Sequence, residues 1–109
     1  MSKSATTIDP IHPGEILKEQ FLDEYGISAT VFAKKLGVPP NRITRIIAGK
    51  SRITADTALL LAAALGTTAE FWLNLQMRYD LEVARGDDRT ARRVAGVVGR
   101  GPVFAVAAE

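Results

Sequence analysis

Six basic side chains stand within residues 28–53 with no acidic one among them: Lys34, Lys35, Arg42, Arg45, Lys50 and Arg52. The other 83 residues hold 8 Lys and Arg against 12 Asp and Glu, so they sum to −4. The whole-chain charge of +2 therefore conceals one strongly positive segment. The chemistry open to such a segment is the binding of phosphates, which a fixed positive field attracts and whose counterions it releases. Side chains that read base edges lie in the same stretch. Arg45 can bond bidentately to guanine, Asn41 can do the same to adenine, Thr44 can offer a hydroxyl or a methyl, and Arg42 is counted with them. Ser28 and Thr30, at the start of an expected helix, suit a phosphate held by free N–H groups, and Lys50, Ser51 and Arg52 suit the adjacent strand. A solvated basic helix pair inside a protein-interaction module is the alternative, and the lack of any acid across the stretch speaks against it.

Other chemistries lack their residues. The chain has no cysteine, which removes disulfides and thiolate metal sites. His12 is the single histidine, with Glu15 three positions on. One imidazole and one carboxylate do not make a metal cage, and a nucleophile–base set would have only His12 to use. The pair reads instead as a helix N-terminus with an acid in its first turn. Gly96, Gly99 and Gly101 neither follow a strand nor open a clear helix, so a phosphate loop is disfavoured. No catalytic residue, metal or cofactor is expected, and the chain is not read as an enzyme. No run reaches the ~18 apolar residues of a membrane helix. The first ten residues lack the apolar core of a secretory signal. A cytoplasmic protein without a membrane partner is expected.

The elements that must position these groups are helical. Residues 1–11 read as a polar arm. A first helix starts at His12-Pro13, because proline tolerates the first helical position, and Glu15 complements the helix dipole. Leu17, Phe21 and Tyr25 recur at a spacing of four, with Ile16 beside them, and Gly26 ends the helix. Ser28 caps a second helix that runs to Leu36 and stops at Gly37. A third covers residues 40–48 and closes at Gly49. Thr54 caps a fourth, which Gly66 stops. A fifth begins at a capping box on Thr67 and Glu70, or at Thr68, and ends at Ala84 or Arg85 before Gly86. The expected fold is all-α, five helices in a domain over residues 1–86. Residues 87–109 are expected to form a disordered tail or a short strand near residues 103–106, because the glycines weaken a helix there.

The second and third helices have helix-turn-helix spacing. Phe32, Leu36, Ile43 and Ile46 fill the wedge between them, and Ala33 is small enough for a close crossing. Gly37 supplies the positive φ of the turn. In this geometry the start of the second motif helix enters the major groove.

Longer motifs extend the pattern: His12-Pro13-Gly14-Glu15-Ile16-Leu17, Gly37-Val38-Pro39-Pro40-Asn41-Arg42-Ile43, Gly49-Lys50, Arg52-Ile53-Thr54-Ala55-Asp56-Thr57-Ala58, Glu70-Phe71-Trp72-Leu73-Asn74-Leu75-Gln76 and Tyr79-Asp80-Leu81. Together they closely resemble the HigA (VapI-like) antitoxins, members of the phage-repressor-like (XRE) helix-turn-helix class. The resemblance covers about residues 9–85. It implies a DNA-binding antitoxin of a type II toxin–antitoxin system. Such a protein neutralises a HigB-type mRNA-cleaving toxin and represses its own operon. A free-standing repressor without a toxin, and a protein-interaction module, are the competing readings.

Two surfaces are expected to meet partners. On the fifth helix, Trp72, Leu75, Tyr79 and Val83 form one apolar stripe, which closes the core. Leu73, Met77, Leu81 and Ala84 form another, which reads as a homodimer interface or as the flank of a wide core stripe. On the first helix Glu15, Glu19, Asp23 and Glu24 make an acidic face that suits a basic toxin, with solvated surface charge as the alternative.

Overall fold

The computed structural model describes residues 9–103. Its helices follow the order α1 (Pro13–Ile16), π1 (Leu17–Leu22), α2 (Asp23–Tyr25), α3 (Ala29–Leu36), α4 (Pro40–Ile47), α5 (Ala55–Leu65), α6 (Ala69–Arg85) and α7 (Asp88–Arg100). No strand occurs among the described residues, as the all-α expectation requires. Contacts divide the chain into two compact units, Met1–Tyr79 and Asp80–Glu109.

In the first unit each helix starts and stops where its local chemistry dictates. His12 caps α1 through Nδ1, which accepts the Gly14 N–H at 2.9 Å, while Glu15 accepts the His12 N–H at 3.4 Å. Ser28 Oγ accepts the Val31 N–H at 3.2 Å and opens α3. Gly26, Gly37 and Gly66 close their helices in the left-handed conformation. The cap of α6 is Thr68, whose hydroxyl accepts the Phe71 N–H at 3.0 Å. Thr67 does other work: its hydroxyl accepts the Trp72 indole N–H at 2.7 Å.

The first helix departs from the four-residue stripe. Its middle, π1, carries i→i+5 bonding, so the side chains that share a face stand five apart. Leu17 and Leu22 are both buried, whereas Phe21 is only half-buried and Tyr25 is exposed. The same register lets Lys18 donate to Asp23 at 2.9 Å. That contact holds the Lys18 ammonium above its ordinary pKa.

The core of the first unit joins Leu17, Leu22, Phe32, Ala33, Ile43, Ile46, Ile53, Ala58, Leu61 and Trp72. Trp72 packs at a tilt on Phe21 and edge-on to Phe71, with centroid separations of 5.4 and 4.9 Å. Burial of such rings is the largest apolar contribution available to a domain this small.

In the second unit the expectation of a disordered or strand-like tail is overturned for residues 88–100, which form α7. Asp87 caps it by accepting the Thr90 N–H at 2.9 Å, and the Thr90 hydroxyl donates to the same oxygen. Val94, Val97 and Val98 recur at helical spacing. Each interior glycine costs only about 1 kcal/mol in a helix. The Asp87 cap offsets part of that cost. The strand proposed at residues 103–106 lies outside the described residues from Phe104 onward, and the N-terminal arm does so through residue 8.

Candidate nucleic-acid interface

The helix-turn-helix is built from α3 and α4. Ala33 is fully buried, and its short side chain lets α4 lie close against α3. Ile43 and Ile46 point into the core from one side of α4. At about 100° per residue the opposite side must then carry Asn41, Thr44, Arg45 and Ala48. All four are exposed. Three of the expected base readers, Asn41, Thr44 and Arg45, therefore share one outward face.

Arg42 stands apart from them, on the flank toward α5. Its guanidinium donates to Asp56 and to the Thr57 hydroxyl, both at 3.4 Å. The Asp56 carboxyl is held below its ordinary value, first by the Thr54 hydroxyl donating at 2.6 Å and also by the Arg42 charge. Thr54 thus occupies the cap position of α5 but spends its hydroxyl on Asp56 rather than on a backbone N–H. The arrangement braces α4 against the first turn of α5.

Arg45 is held from the other direction. Its Nε donates to Ser51 Oγ at 3.0 Å and one terminal nitrogen donates to the Lys50 carbonyl at 3.4 Å. A guanidinium has five N–H donors, so these two bonds leave the outer edge for a base. Gly49, at φ 75°, turns the chain so that Lys50 and Ser51 come back beside Arg45. Asn41, Arg42, Arg45, Ser51, Arg52 and Asp56 line one open cleft of about 370 Å³. Ser28 and Thr30 sit at the start of α3 and are exposed, as are Lys34, Lys35, Lys50 and Arg52.

Two contributors to this geometry escaped the sequence reading. A Cβ on Gly14 would overlap the carbonyl oxygen of Ile46, so α1 touches the backbone at the end of α4. Only glycine permits that contact. Gln76 is buried, and its side-chain oxygen accepts the Ile53 N–H at 2.7 Å. That bond fastens α6 to the segment that follows α4. His12 packs edge-on against Tyr79 with centroids 4.8 Å apart. The His-Pro-Gly-Glu and Leu-Gln motifs thus serve to seat the recognition helix.

The other expected surfaces are less organised. On α6, Leu73 is half-buried against the core, while Met77 is 54% exposed. Further along the same helix Leu81 is 42% exposed, and Ala84 is half-buried. On the first helix Glu15, Glu19, Asp23 and Glu24 are all exposed, with Glu15 engaged in the cap and Asp23 in the ion pair to Lys18.

Residues 17–72 match the family model described as Helix-turn-helix. Virulence-associated protein I of Dichelobacter nodosus is 49% identical over 80 residues, 73% of this chain and 74% of that protein. Antitoxin HigA-1 of Vibrio cholerae is 46% identical over 72 residues, 66% of this chain and 68% of that protein. Among solved structures, the Pseudomonas aeruginosa antitoxin HigA with the higBA promoter is similar at a TM-score of 0.78 and 35% identity. That match covers 87% of this chain and 99% of the other.

Proposed function

Because the chain belongs to the HigA and VapI-like antitoxins of the helix-turn-helix family, we propose that it binds double-stranded operator DNA and represses its own operon. In the same reading it neutralises a HigB-type mRNA-cleaving toxin. The family works by binding DNA rather than by catalysis. The observation that carries the reading is the outward face of α4. Asn41, Thr44 and Arg45 are exposed there, with Ile43 and Ile46 buried behind them, in a stretch without an acidic residue. In the major groove Arg45 and Asn41 read bases. Thr44 reads an edge or a methyl. Arg42, braced by Asp56, contributes mainly charge and position. Ser28, Thr30, Lys50, Ser51 and Arg52 hold phosphates and set the register.

The toxin is assigned to the acidic face of the first helix, Glu15, Glu19, Asp23 and Glu24, whose charge complements a basic nuclease. The homodimer is assigned to Leu73, Met77, Leu81 and Ala84 on α6, supported by the exposure of Met77 and Leu81. A soluble monomer gains by covering such side chains. No helix among the described residues is long and apolar enough to cross a membrane. We place the protein in the cytoplasm, beside its operator.

Three experiments test the reading. Duplex from the region upstream of its own gene should bind in a salt-dependent manner, and the toxin encoded beside it should co-purify and lose its mRNA cleavage. Operator binding with no toxin captured would leave a free-standing repressor. Met77→Glu combined with Leu81→Lys should give a helical monomer by light scattering and circular dichroism. A helical dimer in that variant would place the interface elsewhere.

A further inference from the structure

The helix α7 carries a second basic face that the operator reading does not use. Arg89, Arg92, Arg93 and Arg100 are exposed, and at about 100° per residue they fall within an arc of roughly 100°. They span roughly 16 Å of helix axis. Among the described residues none of the four has an ion-pair or hydrogen-bond partner. Gly96 and Gly99 lie on the same face. A Cβ at Gly96 would meet only the Arg100 guanidinium, at 3.6 Å, and one at Gly99 would meet nothing within 4 Å. The sole acid in the helix, Asp88, is in the first turn, where the helix dipole favours it. Val94, Val97 and Val98 lie toward the other side, with Arg93 at the border beside Val94 and Val97.

We propose that α7 is a second DNA contact, a non-specific clamp on the phosphate backbone of the duplex that carries the operator. Guanidinium groups match phosphate oxygens bidentately. Two glycines among them let a continuous polyanion approach the helix closely. A membrane surface fits less well, because the apolar side has valine and alanine and none of the Trp, Phe or Leu that anchor an interfacial helix. The proposal rests on the operator reading, since α7 adds its contacts to a duplex that α4 already holds.

Salt titration of the full-length protein on an operator duplex with flanking sequence tests it. Each phosphate contact adds about 0.9 to the log–log salt slope. Replacing all four (Arg89→Gln, Arg92→Gln, Arg93→Gln, Arg100→Gln) should flatten the slope by about 2–4 units and weaken low-salt binding by ~10²-fold, with sequence preference unchanged. The four Arg→Lys replacements together should keep most of the slope. A helical glutamine variant with wild-type slope and affinity overturns the proposal. So does a folded lysine variant whose slope falls as far as that of the glutamine variant. Vesicles of phosphatidylcholine and phosphatidylserine are the control. Arginine-dependent vesicle binding with an unaltered DNA slope would assign α7 to membranes and overturn the clamp. Failure of the operator reading has a separate signature: equal wild-type affinity for operator and scrambled duplex, with the arginine-dependent slope present on both.

Discussion

The helices α4 and α7 are both short, basic and amphipathic, yet their surroundings differ at every level. In α4 the apolar side is consumed by the core, with Ile43 fully buried and Ile46 nearly so. In α7 the apolar side is open, with Val94, Val97 and Val98 at 55%, 51% and 71% exposure. The arginines of α4 are gripped, Arg42 by Asp56 and Thr57, Arg45 by Ser51 and the Lys50 carbonyl. Those of α7 are ungripped among the described residues. A base edge demands a donor placed to a fraction of an ångström, which needs packing behind it and hydrogen bonds beside it. A phosphate backbone demands only charge within reach. The contrast sets the surface proposed for sequence readout apart from one suited to charge alone.

The sharpest way to break the comparison is a glycine in each region. Gly14→Ala drives a Cβ into the Ile46 backbone, which cannot yield, so the loss of stability should reach ~3 kcal/mol, the upper end for overpacking. DNA affinity should fall with it. Gly96→Ala in α7 meets an ordinary contact and should stabilise by up to about 1 kcal/mol. Chemical denaturation of the two variants decides this, and similar effects at both positions would erase the distinction. Ala33→Leu tests the other side of α4. It should cost ~1–3 kcal/mol by wedging α3 from α4, whereas Val97→Ala in α7 should stay within about 0.5 kcal/mol.

Ser51→Ala sharpens the comparison more gently. It removes the acceptor that holds Arg45 Nε and should weaken operator binding by about 1 kcal/mol, a typical net hydrogen-bond contribution. Binding to random duplex, which loses only the phosphate contact of Ser51, should fall by clearly less. Equal losses on both duplexes in a fluorescence titration would mean that Ser51 touches phosphate and does not position Arg45.

The smallest effect concerns acid. The Asp56 and Asp87 carboxyls both lie below the ordinary 3.8, Asp56 chiefly through the Thr54 hydroxyl and Asp87 chiefly through the Thr90 N–H. A depressed folded value means that each contribution is complete above 3.8 and is lost as the pH falls below it toward the folded value. Both groups are solvent-exposed, so the changes are small. Asp56→Asn should flatten the acid limb of thermal stability below that pH. Asp87→Asn should likewise remove the acid-dependent fall in helicity below that pH, read by circular dichroism. An unchanged acid response in both variants would show that neither carboxylate matters energetically.

Local chemistry made most of the first unit legible. Ser28, Gly37, Gly49 and Gly66 mark helix ends by conformational preferences that act within a few residues, and the outward and inward sides of α4 follow from its periodicity. What stayed hidden depends on distant partners. Nothing near Gly14 in the chain announces the Ile46 carbonyl, and nothing near Gln76 announces the Ile53 N–H. The π register of Leu17–Leu22 is chosen by which leucines reach the core, not by their spacing of five alone. In α7 two local signals oppose each other. Gly96 and Gly99 weighed against a helix, while the Asp87–Thr90 cap and the valine spacing, both visible in the sequence, pointed to one. Arg42 shows the reverse case: its type suggested base reading, and only the fold reveals Asp56 beside it.

On the proposed reading α4 presents a positioned base-reading face. Its most direct test compares the affinity of the wild-type chain and of Arg45→Ala for the duplex upstream of its own gene and for a scrambled duplex of the same length, at matched salt. The wild type should clearly prefer the upstream duplex. Arg45→Ala should reduce that affinity by ~1–3 kcal/mol and relax the preference at one base position. Equal effects of Arg45→Ala on the two duplexes would contradict it.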